Sequence, residues 1–435
     1  MNAVIISVLL LVGLTLCRLN ILSAIIVSCF IGGWIAGLDV NSIWQAFQAG
    51  LGHASPLALS YAIIGGFSYL IASFGLTEIV SSRLSTMMKD HSSQLKLTII
   101  ITLTSLAIFS QNLIPIHVAF IPLLIPPMLL IFSRLQLDRR LIACLLSFGL
   151  VTPYMFLPLG FGQMFLNELI RSQVTLQGVS GVESINMMRV MLLPAIGMLV
   201  GVIIAVLFSY NKPREYLIKS SHTDTSPVTL SNKNRVVIII ALLSFFVVQL
   251  MTGSMAIAAL VGCGLLSIGK RAHWGKSNSL FLEGTRLMAS IGVIMMAAAG
   301  FAEVMKLTGH IQSLIDTAII AFQDQTMLSV FIMLLVGLLI TIGIGSSFAT
   351  VPLLAAIYVP IGQAIGLSLE AIICLLVSAA VLGDTGSPVS EVTLATSAGL
   401  NHDGQHDHLK DTVIPTFIHF NIPLFAFSLL AIYLL

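Results

Sequence analysis

Gly383-Asp384-Thr385-Gly386-Ser387-Pro388-Val389-Ser390-Glu391 packs two carboxylates, three hydroxyls, two glycines and a proline into an otherwise apolar run. A charge at the centre of a bilayer costs roughly 2.5–3.5 kcal/mol, so such residues rarely sit there idle. Carboxylate and hydroxyl oxygens are hard donors that can replace the water around a small cation such as sodium. The same carboxyl can carry a proton instead, and competition between the two is the minimal chemistry of an antiporter. Asp384, Thr385, Ser387, Ser390 and Glu391 are therefore the candidate ion or substrate ligands. Pro388 lacks an N–H and frees the carbonyl of Asp384, while Gly383 and Gly386 loosen the backbone, so an interrupted helix is expected here.

A second hydroxyl-rich run, Gly343 to Pro352, joins two short apolar stretches and fits a hairpin tip that presents Gly345, Ser346 and Ser347. Ser110-Gln111-Asn112 holds the corresponding place in the first half, with Asn112 the candidate ligand, although small and polar residues also pack membrane helices. His117 reads as a hydrogen-bonded structural residue. His402, His406 and His408 lie among Asp403, Asp407 and Asp411 before the last apolar segment. Proton entry or pH sensing competes there with a solvated loop, and no metal is expected beyond transported Na+. Glu78, Glu168, Glu283 and Glu303 sit near segment ends, where an interfacial position is the ordinary reading. The five cysteines have no metal-like spacing and read as buried packing thiols.

Hydrophobic residues make up 57% of the 435, charged residues 9%, and the mean hydropathy is +1.03, which implies an all-α polytopic membrane protein. Nothing basic enough for nucleic acid is present. The apolar N-terminus has no basic leader and reads as a retained first helix. Several apolar segments are shorter than the ~20 residues a straight span needs, which suggests re-entrant hairpins or broken helices.

The chain is also self-similar. Cys29, Phe47, Gly50, Gly66-Phe67 and Gly75 recur 234 residues later. Further on the offset is 230, pairing Pro122-Leu123-Leu124 with Pro352-Leu353-Leu354, Cys144 with Cys374 and Pro158 with Pro388. Tyr154 then stands opposite Asp384, and Phe161 opposite Glu391. Two repeats of inverted topology are implied by the odd number of segments between partners: residues 1–210, a cytoplasmic linker at 211–234, and 235–435, which carries the acidic motif. Placing Arg18 and the loops at 75–97, 134–140, 211–235, 270–286 and Lys410 on the cytoplasmic side gathers 17 of the 20 Lys and Arg there. Both termini and the 303–325 loop then lie outside. Inverted repeats with interrupted helices point to a secondary transporter with a site near the midplane. No phosphate-binding GxxxxGK[ST] occurs, so energy comes from a gradient.

The motif Gly383-Asp384-x-x-Ser387-Pro388-x-Ser390-Glu391-x-Thr393, with His408-Leu409 and Pro415 after it, resembles the NhaC-type sodium/proton antiporter family of the wider ion-transporter superfamily. Glu391 stands where that family usually has Asp, and Val392 replaces a Thr. The resemblance implies Na+ and H+ as transported species without a bound cofactor, a homodimer, and residence in the bacterial cytoplasmic membrane. Less typical relatives imply an alternative, a Na+- or H+-coupled permease for a small amino acid such as histidine. An intramembrane aspartyl hydrolase using Asp384 is the third reading.

Overall fold

The computed structural model describes residues 2–17, 19–73, 93–112, 120–217, 232–252, 254–269, 274–311, 313, 316 and 325–435. Every regular element among them is helical. Local sequence sets several helix starts. Asn20, Asp138 and Ser368 each cap a helix by accepting a backbone N–H from its first turn. Among the described residues, five helices are long and apolar enough to cross a membrane: Arg139–Phe156, Leu192–Ser209, Thr326–Ile344, Ser347–Ala364 and His408–Leu434. Shorter apolar helices, including Leu369–Val381, account for further segments. Trp34, Phe208 and Met251 lie exposed on the outside, as a lipid-facing surface allows.

The element order repeats. Helix Ile21–Ile35 returns as Met255–Gly269, and Val40–Ser73 as Trp274–Leu307, displaced by 234 residues at both ends. The two longest helices pack antiparallel along small residues. A Cβ on Gly50 would meet the backbone of Ala299 and Gly300, and one on Gly284 the backbone of Gly65. Phe47 lies against Gly300 and Phe281 against Gly66. Ala58 touches Gly292, its own counterpart 234 residues on. Contacts in which i meets j and the copy of j meets the copy of i are what a two-fold relation produces.

Two expectations, the loop at 270–286 and the burial of all five cysteines, need correction. Residues 274–286 are not loop but the first turns of Trp274–Leu307, where polar residues such as Glu283 and Arg286 lie on an exposed helix face. The counterpart helix Val40–Ser73 also opens with polar residues, and it bends by 46° at Pro56, where an N–H is missing. Cys17 is exposed at a helix end; the other four cysteines are buried and all five are free thiols. His117, Glu78, most of the 75–97 loop and linker residues 218–231 lie outside the described residues.

Segments assigned to one side by charge do meet. Lys96 donates to the carbonyl of Asn211 (3.1 Å), and Arg214 reaches Asp411 (2.8 Å). At the N-terminus, the Asn2 amide donates to the carbonyl of His310 (2.8 Å), bringing together two segments read as external.

Candidate functional site

Leu369–Val381 ends at Leu382 because Gly383 takes φ +94°, a left-handed conformation that favours glycine. A Cβ there would also lie 2.8 Å from the Ile342 nitrogen. The helix therefore breaks well before Pro388, earlier than the proline alone predicts. Helix resumes at Glu391, where Ser390 caps it by accepting the Val392 N–H (3.2 Å). Between the two helices the chain crosses as an irregular turn, with Asp384 pointing inward, only 6% exposed.

Three hydroxyls donate to the Asp384 carboxylate. Ser390 reaches Oδ1 (2.8 Å); Tyr154 and Ser347 both reach Oδ2 (2.7 and 3.0 Å) and lie 2.8 Å from each other. Ser347 is the first residue of Ser347–Ala364, so the positive end of that helix faces the anion. The tip that delivers it turns at Gly345, φ +73°, packed against the Val389 carbonyl. Phe165 and Phe348 close over the Tyr154 ring, with centroids 5.0 and 5.6 Å away. The Tyr154–Asp384 bond joins residues 230 apart, the repeat offset itself.

The other candidates divide by task. Thr385 turns away from the carboxylate and donates to Asn421 Oδ1 (3.1 Å). Ser387 donates to the carbonyl of Ile342 (2.7 Å) and accepts the Val389 N–H. Both hold the turn and do not reach the Asp384 carboxylate. Glu391 is half-buried in the first turn of its helix. Ser346 caps Ser347–Ala364 by position only, without a side-chain bond. Gly386 is required because the C-terminal segment passes close by: a Cβ would lie 2.7 Å from Phe417 Cα. Pro158 sits in the matching break of the first half, where Gly160, φ +58°, packs on the Asn112 carbonyl. Asn112 itself is buried, and its side-chain amide has no partner among the described residues.

Sequence reasoning missed two groups. Tyr154 was visible only as the residue opposite Asp384. Asn421, 38 residues from Gly383, accepts both the Gly383 N–H (3.1 Å) and the Thr385 hydroxyl, and no local pattern announces it.

The histidines do not act together. His402 is exposed. His408 Nε2 lies 2.9 Å from the Pro388 carbonyl, which can only accept, so Nε2 donates there, and Nδ1 lies 2.7 Å from the Ser397 hydroxyl. His406 is buried beside Thr412, and burial pushes its pKa down to about 4 despite nearby Asp411, which leaves it neutral near pH 7 and unsuited to sensing there. Next to it, Arg139 is fully buried and grips Asp403 with both terminal nitrogens at 2.6 Å while Tyr216 covers its guanidinium face. Burial opposes the charge on Asp403, but Arg139 outweighs it and holds the carboxyl below its usual range. No group of three or more His, Cys, Asp or Glu that could hold a metal is found among the described residues.

Known proteins share both the sequence and the fold. A profile of the Na+/H+ antiporter family matches residues 145–429, and a second, described as a Na+-H+ antiporter family, matches residues 2–88. An uncharacterized membrane protein of Vibrio parahaemolyticus is 44% identical, with 99% of each chain covered. A Bacillus subtilis protein, YuiF, provisionally named an amino acid transporter, is 40% identical over 99% of each chain. The fold is similar to the YdaH transporter of Alcanivorax borkumensis (TM-score 0.60, 14% identity, 91% of this chain and 89% of that one). It is similar also to MtrF of Neisseria gonorrhoeae (TM-score 0.59, 16% identity, 90% and 84% covered).

Proposed function

This chain belongs to the Na+/H+ antiporter family, and on that premise we propose that it exchanges sodium for protons at Asp384. It is a membrane transporter; the exchanged species, the site and the assembly are our reading. One observation carries it: a buried carboxylate surrounded by hydroxyl oxygens, at the contact between the two counterpart residues of the repeat. Each serine or tyrosine hydroxyl has one proton and two lone pairs. With sodium present, Ser347, Ser390 and Tyr154 rotate to offer lone pairs beside the Asp384 oxygens, and hard oxygens suit a hard cation. With a proton on Asp384, the same hydroxyls return to hydrogen bonding. A single carboxylate then carries one cation type in each direction. We place the protein in the bacterial cytoplasmic membrane as a homodimer, organised as two repeats joined by the 211–234 linker, with no resident cofactor.

The relationship to YuiF favours a second reading, cation-coupled transport of an amino acid. The helix Glu391–Leu400 is a poor anchor for the solute's carboxylate, since Ser390 already occupies the Val392 N–H and Glu391 brings negative charge to the same turn. Glu391 would attract the ammonium group instead. The hydrolase reading has no support from the family.

Proton flux in sealed proteoliposomes separates the readings. Wild type given a sodium pulse, with no amino acid, is expected to move protons, and Asp384→Asn is expected to abolish the movement. A folded wild type that is silent to sodium but accumulates an amino acid down a cation gradient would overturn antiport in favour of the second reading.

A further inference from the structure

We infer that Asn421 is a positioning residue that sets the geometry of the Asp384 turn, a role that rests on the proposed sodium/proton exchange. The turn must hold one carboxylate still while losing the backbone bonds of both flanking helices. Its two sides are clamped from one segment. Asn421 Oδ1 accepts the Gly383 N–H and the Thr385 hydroxyl, both at 3.1 Å, bracketing Asp384. His408 Nε2 holds the Pro388 carbonyl at 2.9 Å.

The amide orientation is forced. The Gly383 N–H can only donate, so the atom facing it is the oxygen, and the Nδ2 group lies instead against Gly386, where a Cβ would come within 2.7 Å of it. Asn421 is 2% exposed, and that Nδ2 has no partner among the described residues. A buried donor left unpaired costs stability. The side chain is therefore kept for its oxygen, at the expense of its nitrogen.

The backbone supports the same conclusion. His408 opens a π-helical turn, His408–Val413, and Asn421 closes another, Phe417–Asn421. A π turn inserts a residue into the helix and rotates the turns beyond it, and such insertions often occur at functional sites. Here they allow two residues of one helix to reach both sides of the turn. Gly386 lets this segment approach, since a Cβ there would strike Phe417.

The test compares apparent sodium affinity and maximal rate in proteoliposomes for wild type, Asn421→Leu, Asn421→Asp, Thr385→Val and the Leu/Val double variant. Asn421→Leu removes both acceptor contacts and is expected to weaken apparent sodium affinity about tenfold, the scale of one or two lost hydrogen bonds. Asn421→Asp keeps the acceptor and is expected to recover most of that loss. Thr385→Val is expected to give a smaller loss that adds nothing to Asn421→Leu, because both act through one contact. A folded Asn421→Leu with wild-type affinity overturns the inference, as does full additivity in the double variant. Should Asn421→Leu fail to fold, a Thr385→Val of unchanged affinity overturns it. A wild type without sodium-driven flux would instead sink the exchange reading, and the two failures are distinct.

Discussion

Asp384 accepts from three hydroxyls and pairs with no Lys or Arg among the described residues, so dipoles rather than a counter-charge hold the anion. That leaves it available to a mobile cation, whereas a permanent ion pair would compete for it. Tyr154→Phe keeps the ring against Phe165 and Phe348 and deletes one donor. Sodium-driven proton flux is expected to fall about tenfold or more, since a hydrogen bond to a charged group contributes about 1.5–3 kcal/mol. Asp384, Ser390 and Ser347 were legible because polar atoms in an apolar context stand out. Tyr154 was not, since a tyrosine in a membrane segment is unremarkable until its hydroxyl is seen to reach across the molecule. Thr385 and Ser387 looked like ligands by type, yet the Thr385 hydroxyl donates to the Asn421 side chain, and that of Ser387 donates to the Ile342 carbonyl of the neighbouring helix and accepts the Val389 N–H within the break.

At the level of elements, the existence of the break could be read from Gly383, Gly386 and Pro388, but its position could not. Proline forbids a hydrogen bond, whereas the turn begins where the backbone must become left-handed, and that depends on how closely the neighbouring Thr326–Ile344 helix approaches. Gly383→Ala combines an unfavourable φ with a near-contact to backbone. It is expected to cost about 1–3 kcal/mol from the strained conformation alone, seen as a lower midpoint of thermal inactivation together with loss of flux. The early turns of Trp274–Leu307 were misread as loop for a related reason. Glu283 and Arg286 carry the polarity of a loop, but a helix that packs on one side only tolerates them on the other.

For the whole molecule, the three parts of the chain converge on one end, where Arg139 of the first half binds Asp403 of the second and Arg214 of the connecting stretch binds Asp411. Asp403→Asn leaves Arg139 buried with its charge uncompensated, and a loss of about 3–5 kcal/mol is expected, measured as thermal inactivation in detergent. The pH dependence has a defined sign. Unfolded, His406 binds a proton near its ordinary 6.5; folded, it refuses one until about 4. Stability should therefore fall as pH drops through that window, and His406→Gln should flatten the loss. Asp403, held below its ordinary 3.8, loses its contribution only on further acidification. Two counterpart pairs, Ala58 with Gly292 and Tyr154 with Asp384, touch directly. Under the proposed two-fold relation between the repeats, points that meet their own images lie on its axis, and a motion that swaps the shapes of the two halves leaves that axis in place. Under the proposed exchange, Asp384 is thus a fulcrum: the doorways open and shut on either side while the ion's berth stays where it is.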